Sequence, residues 1–152
     1  MKNDFVQLVI AAMALTVSGA LEELLPKFLC VGAPLLLMVS VFVSGRWGTV
    51  AAMLTAVAAG SMEDALCSLP LFASVSFFVL VGIATHLTGL MYVCMAFAYP
   101  LYQLWLWRWL PGMAGSVFGR VLLALPAGVA AGVVVSVALR WAEQKGAVDV
   151  EG

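Results

Sequence analysis

A chain of 152 residues that is 64% apolar and 10% charged does not read as a soluble domain, where apolar residues run about 45–50% and charged ones about 25%. So small a fold has too little interior to hide that much apolar surface, whereas the hydrocarbon core of a membrane removes the problem. Seven basic and eight acidic residues give a net charge of −1, and the basic ones are scattered rather than clustered as nucleic-acid binding requires.

The charges punctuate the chain. Residues 5–21 carry none, and Glu22, Glu23 and Lys27 follow, with Pro26 among them. This first segment has a short n-region, in which Asp4 offsets Lys2. Ser18-Gly19-Ala20 is a passable cleavage site, but a retained first helix is the expectation. Residues 28–44 form the second apolar segment, closed by Arg46. The third, 48–63, is short and ends on Glu63-Asp64. Residues 65–107 then run 43 positions with His86 as the one ionisable group. A spanning helix needs about 20 apolar residues, so that run divides into two, about 69–86 and 89–107, broken near His86–Gly89. A loop with Pro111, Gly112 and Gly115 leads to a last segment, 120–139, closed by Arg140.

The expected fold is therefore all-α: a polytopic membrane bundle of about six transmembrane helices in one domain, 1–141, followed by a polar, fraying tail, 142–152. Spanning strands show alternating polarity over about 10 residues, and no segment does. An even number of spans puts both termini on one side. The basic residues there, Lys2, Arg46, Arg140 and Lys145, outnumber Lys27, Arg108 and Arg120 by four to three, so cytoplasmic termini are expected. Tyr102, Trp105, Trp107 and Trp109 are expected as an interfacial aromatic belt, with Trp47 and Trp141 marking the opposite face.

Two rows of small residues are candidates for helix packing or for docking a partner's helix, because helices in lipid associate where small side chains let backbones approach. One is Ala52, Ala56 and Gly60, continued at the same spacing by Asp64. The other is Ala124, Gly128, Gly132 and Ser136. Charge at bilayer depth costs at least about 2.5–3.5 kcal/mol, so Asp64 is either a buried polar anchor or part of a surface turn near Ser68 and Pro70. Glu63 is expected at the surface, Glu22-Glu23 as a plain helix end, and His86 as an interfacial loop residue. Cys30, Cys67 and Cys94 form no metal or redox spacing and suit apolar packing. No phosphate loop, HExxH or GxSxG occurs, and no cofactor or metal is expected. With 7 basic, 8 acidic and 1 histidine residue, mostly at segment ends, catalysis has little to work with.

Residues 34–71, PLLLMVSVFVSGRWGTVAAMLTAVAAGSMEDALCSLPL, carry a resemblance. An apolar segment entered by Pro34 leads to the basic, glycine-containing turn Ser44-Gly45-Arg46-Trp47-Gly48. A small-residue helix follows, ending in Gly60-x-x-x-Asp64, and then a turn with Pro70. This pattern resembles the MreD family of rod shape-determining proteins. The resemblance implies a non-enzymatic inner-membrane scaffold of the bacterial cell-elongation complex. It would dock an MreC-like membrane protein and work beside MreB, RodA and a penicillin-binding transpeptidase in peptidoglycan synthesis. Such chains are similar in architecture to substrate-binding subunits of energy-coupling-factor vitamin transporters, which is the rival expectation. There, Ala14-x-x-x-Ser18 would serve for docking.

Overall fold

The computed structural model describes residues 2–25, 33–70, 72–109 and 117–151. They form six helices: α1 (Lys2–Leu24), α2 (Leu35–Arg46), α3 (Thr49–Leu66), α4 (Ala73–Thr88), α5 (Met91–Trp109) and α6 (Val117–Glu151). No strand occurs among the described residues, in keeping with the all-α expectation.

Each boundary has a local cause. The second apolar segment becomes helical only at Leu35, after Pro34; positions 28–32 of that segment lie outside the described residues. The basic turn closes on Trp47 and Gly48, both extended. The third segment does not stop at the acidic pair: Glu63 and Asp64 are inside α3, which ends two residues later. The long apolar run breaks at Gly89, whose φ of +67° is a left-handed helix terminus that glycine adopts without a Cβ penalty. At the far end the expected fraying tail continues as helix through Glu151.

The core is built around α2. Every residue from Leu35 to Ser44 is buried, and the helix contacts all five others. It is apolar all round because it is enclosed all round. The surrounding helices are apolar on both faces. Leu15, Phe78, Met95, Tyr99 and Val135 point into the core, while Phe5, Met13, Leu24, Leu80, Phe97, Phe118, Leu122 and Val137 point outward and are exposed. Two helices, over Phe5–Leu24 in α1 and Val117–Lys145 in α6, are long and apolar enough to cross a membrane; α2 and α4 are shorter apolar helices.

Polar contacts gather at the two ends of the bundle. At one, Glu143 on α6 receives Arg46 at 3.1 Å and the Trp47 indole N–H at 2.6 Å. His86, in the last turn of α4 rather than in a loop, bridges to Thr49 Oγ1 at 3.1 Å and the Ser44 carbonyl at 3.3 Å. Arg140 donates to the Tyr92 hydroxyl. Trp47 is therefore a buried hydrogen-bonding residue and not the surface marker expected of it, whereas Trp141 is exposed beneath Lys145. The other end holds the candidate site.

Candidate functional site

The ends of α1 and α3 meet the beginnings of α2 and α4. A helix N-terminus leaves its first four backbone N–H groups without intrahelical acceptors. The cap positions of α2 and α4 are Pro34 and Phe72, and neither side chain supplies one. Carboxylates from the preceding helices do so instead. Glu22 Oε1 accepts the Leu36 N–H at 2.7 Å, and Asp64 Oδ1 accepts the Ser74 N–H at 2.7 Å. Each acceptor is a carboxyl oxygen placed at the positive end of a helix dipole, where electron-rich groups are favoured. One device thus appears twice: an acidic residue in the last turn of one helix caps the next helix.

This arrangement accounts for the Gly60-x-x-x-Asp64 spacing. An ideal Cβ on Gly60 would lie 2.5 Å from the Val75 Cα and 2.7 Å from its N. Only glycine lets the α3 backbone come this close to the first turn of α4. One helical turn later, the same face presents Asp64 to the Ser74 N–H. Ala56 and Ala52, one and two turns before Gly60, are buried on that face as well.

Around the two caps lies a buried polar cluster. Ser74 Oγ and the Tyr102 hydroxyl are 2.5 Å apart. Tyr102 also donates to Glu63 Oε1 at 3.5 Å, as does the Cys67 thiol. Trp105 donates its indole N–H to the Ala73 carbonyl at 2.8 Å. Phe77 and Phe78 pack on the Tyr102 ring with centroids 5.2 and 5.5 Å away. A cavity of about 60 Å³ opens among these groups, lined by Glu22, Glu63, Cys67, Tyr99, Tyr102 and Gln103 together with apolar side chains.

The expected site residues separate into two places. Ala52, Ala56, Gly60 and Asp64 lie between α3 and its neighbours. Gly128, Gly132 and Ser136 face α5. A Cβ on Gly128 would meet the Tyr99 Cβ at 3.1 Å and one on Gly132 the Met95 Cβ at 3.4 Å, while Ser136 bonds back to the Gly132 carbonyl at 2.7 Å. Gly132 and Ser136 also form the floor of an open, apolar groove of about 340 Å³ between α5 and α6, with Ala96, Val133 and Val137 on its walls and Arg140 at one end.

Two expectations are corrected here. Glu22 is a buried cap, 8% exposed, and not a plain surface helix end. Tyr102 belongs to the core and Trp105 is half-buried and hydrogen-bonded, so the aromatic belt on α5 reduces to Trp107 among the side chains described. Tyr102 is placed at the interface by its sequence and Gln103 is given no role, because a polar group amid aromatic residues on an apolar helix looks the same whether it faces lipid headgroups or a cavity. Cys67 and Cys94 are half-buried and form no disulfide among the described residues; Cys30 lies outside them. No family model matches this chain, and comparison with curated proteins and with solved structures returned no significant match.

Proposed function

We propose that the chain is a multi-pass membrane bundle that acts as a non-enzymatic scaffold of the MreD type in the cell-elongation machinery. It would seat the single membrane helix of an MreC-like partner. The α5–α6 groove carries this reading. Its floor is made of Gly132 and Ser136 and its wall includes Ala96, the small side chains that let a second backbone approach in lipid. The polar groups of the interior support it too. Glu22 and Asp64 are engaged as helix caps, which is structural work rather than catalysis. The transporter alternative asks for a ligand pocket of roughly 300–1,000 Å³ with convergent polar groups. The polar cavity is about 60 Å³, and the larger α5–α6 groove is open and mostly apolar.

Co-purification with an MreC-like partner tests the proposal. Ala96→Trp or Val133→Trp fills the groove from its walls without touching the core. Either variant is expected to lose at least tenfold of the captured partner while keeping the thermal stability of the isolated protein. Partner capture unchanged by both substitutions sinks this docking mode, and a saturable thermal shift with a vitamin would favour the transporter reading.

A further inference from the structure

The groove between α5 and α6 is apolar along its length and cationic at one end. Arg140, which closes the uncharged stretch 121–139 of α6, stands at that end with Tyr92. Its guanidinium donates to the Tyr92 hydroxyl and lies 5.7 Å from the centroid of the ring, so the side chain is held at the groove. A guanidinium carries five N–H donors. No carboxylate pairs with this one among the described residues, where the one salt bridge joins Arg46 to Glu143. Just beyond, Lys145 lies over the exposed Trp141 ring at 4.2 Å and likewise has no carboxylate partner described. Two cations and two aromatic rings therefore border the mouth of an apolar channel.

The length of the channel adds an independent constraint. From Val129 to Arg140 its α6 wall rises about 16 Å, against about 30 Å for the whole hydrocarbon core. The groove is thus about as long as one leaflet is deep. Its charged end lies where Arg46, His86 and Glu143 gather at the end of the bundle, which is the place of an interface, and its apolar floor runs inward from there.

We infer that this groove binds one anionic phospholipid, with the phosphate on Arg140 and one acyl chain along the floor toward Val129. Basic pockets between membrane helices hold anionic headgroups, and arginine meets phosphate oxygens with paired N–H donors. Val133 and Val137, both exposed, offer aliphatic walls to the chain. A zwitterionic headgroup would bring its own cation toward Arg140 and Lys145, so a net negative one is preferred. The inference rests on the reading of the chain as a membrane bundle and not on the identity of its partner. The lipid fills the groove of the chain alone, and a seated partner helix would take its place.

The test uses the full chain, purified and delipidated in detergent. Phosphatidylglycerol and phosphatidylcholine with the same acyl chains are titrated separately and followed by native mass spectrometry and thermal unfolding. One phosphatidylglycerol per chain is expected to bind saturably and raise Tm by about 2–5 °C. Its affinity is expected to exceed that of phosphatidylcholine by about tenfold, the order that two basic groups near a headgroup supply. Arg140→Gln is expected to erase that preference, and Val133→Trp, which obstructs the channel from an exposed wall, to weaken both lipids. Val133→Trp keeps the test open if Arg140→Gln does not fold. Equal binding of the two lipids by the parent, a preference unchanged in Arg140→Gln, or binding unchanged in Val133→Trp overturns the site. An equal shift with glycerol 3-phosphate alone overturns it as well, since the apolar channel would then have no part. Any of these results in a protein that still needs detergent leaves the membrane reading standing, whereas a chain soluble without detergent removes that reading itself.

Discussion

Asp64 and Ser40 show what a polar group costs and contributes inside this bundle. Asp64 Oδ1 satisfies the Ser74 N–H in the first turn of α4, and Oδ2 has no partner among the described residues. Asp64→Asn keeps the Oδ1 acceptor and removes the charge, so it is expected to fold with stability within about 1 kcal/mol of the parent. Asp64→Leu leaves the Ser74 N–H buried without its acceptor, at a cost of about 1–3 kcal/mol. Thermal unfolding of the isolated protein reads the difference. Equal Tm values for Asp64→Leu and the parent would show that the residue acts only on a partner. Ser40 lies on the enclosed helix α2 with no partner for its Oγ among the described residues, while Ser44 bonds back to the Ser40 carbonyl at 2.8 Å. The carboxylates on these helices are thus structural where they meet an N-terminus, and this distinction is invisible in the composition.

At the scale of elements, the two rows of small residues differ in how tightly they hold. A Cβ on Gly60 meets backbone atoms at 2.5 and 2.7 Å, whereas one on Gly132 meets the Met95 side chain at 3.4 Å. Backbone cannot step aside, but a methionine side chain can. Gly60→Ala is therefore expected to destabilise by about 1–3 kcal/mol through the forced separation of α3 and α4, and Gly132→Ala by under about 1 kcal/mol. Parallel thermal unfolding of the two variants checks this, and an equal effect removes the argument for a close α3–α4 contact. Much of the element pattern was legible in the chain. The charges marked where α1, α2 and α5 end, although α3 runs two residues past its acidic pair and α6 runs on past Arg140, and Gly89 broke the 43-residue apolar run where a left-handed terminus was needed. The caps were not legible, because Glu22 serves Leu36 from 14 positions away and Asp64 serves Ser74 from 10. Sequence rules look for a cap beside the helix it closes, and Pro34 and Phe72 stand there instead.

For the whole molecule, the topology follows from which ends meet. Arg46, Thr49, His86, Tyr92, Arg140 and Glu143 gather at one end, and Glu22, Leu36, Glu63, Asp64, Ser74 and Tyr102 at the other, so successive helices alternate in direction. Under the six-span proposal, each set lies toward one side of the membrane. The short α2 is no obstacle to this. Its 12 residues rise about 18 Å, against about 30 Å of hydrocarbon, but it is enclosed by protein, and backbone at membrane depth must be shielded from lipid only where lipid reaches it. Single cysteines placed in a background lacking Cys30, Cys67 and Cys94 decide the arrangement. Thr49→Cys and Gln144→Cys are expected to react with a membrane-impermeant maleimide from one side, and Glu23→Cys and Ser68→Cys from the other. Labelling of Thr49→Cys and Ser68→Cys from the same side would mean that α3 does not cross, and the bundle would then sit in the membrane on α1 and α6 alone.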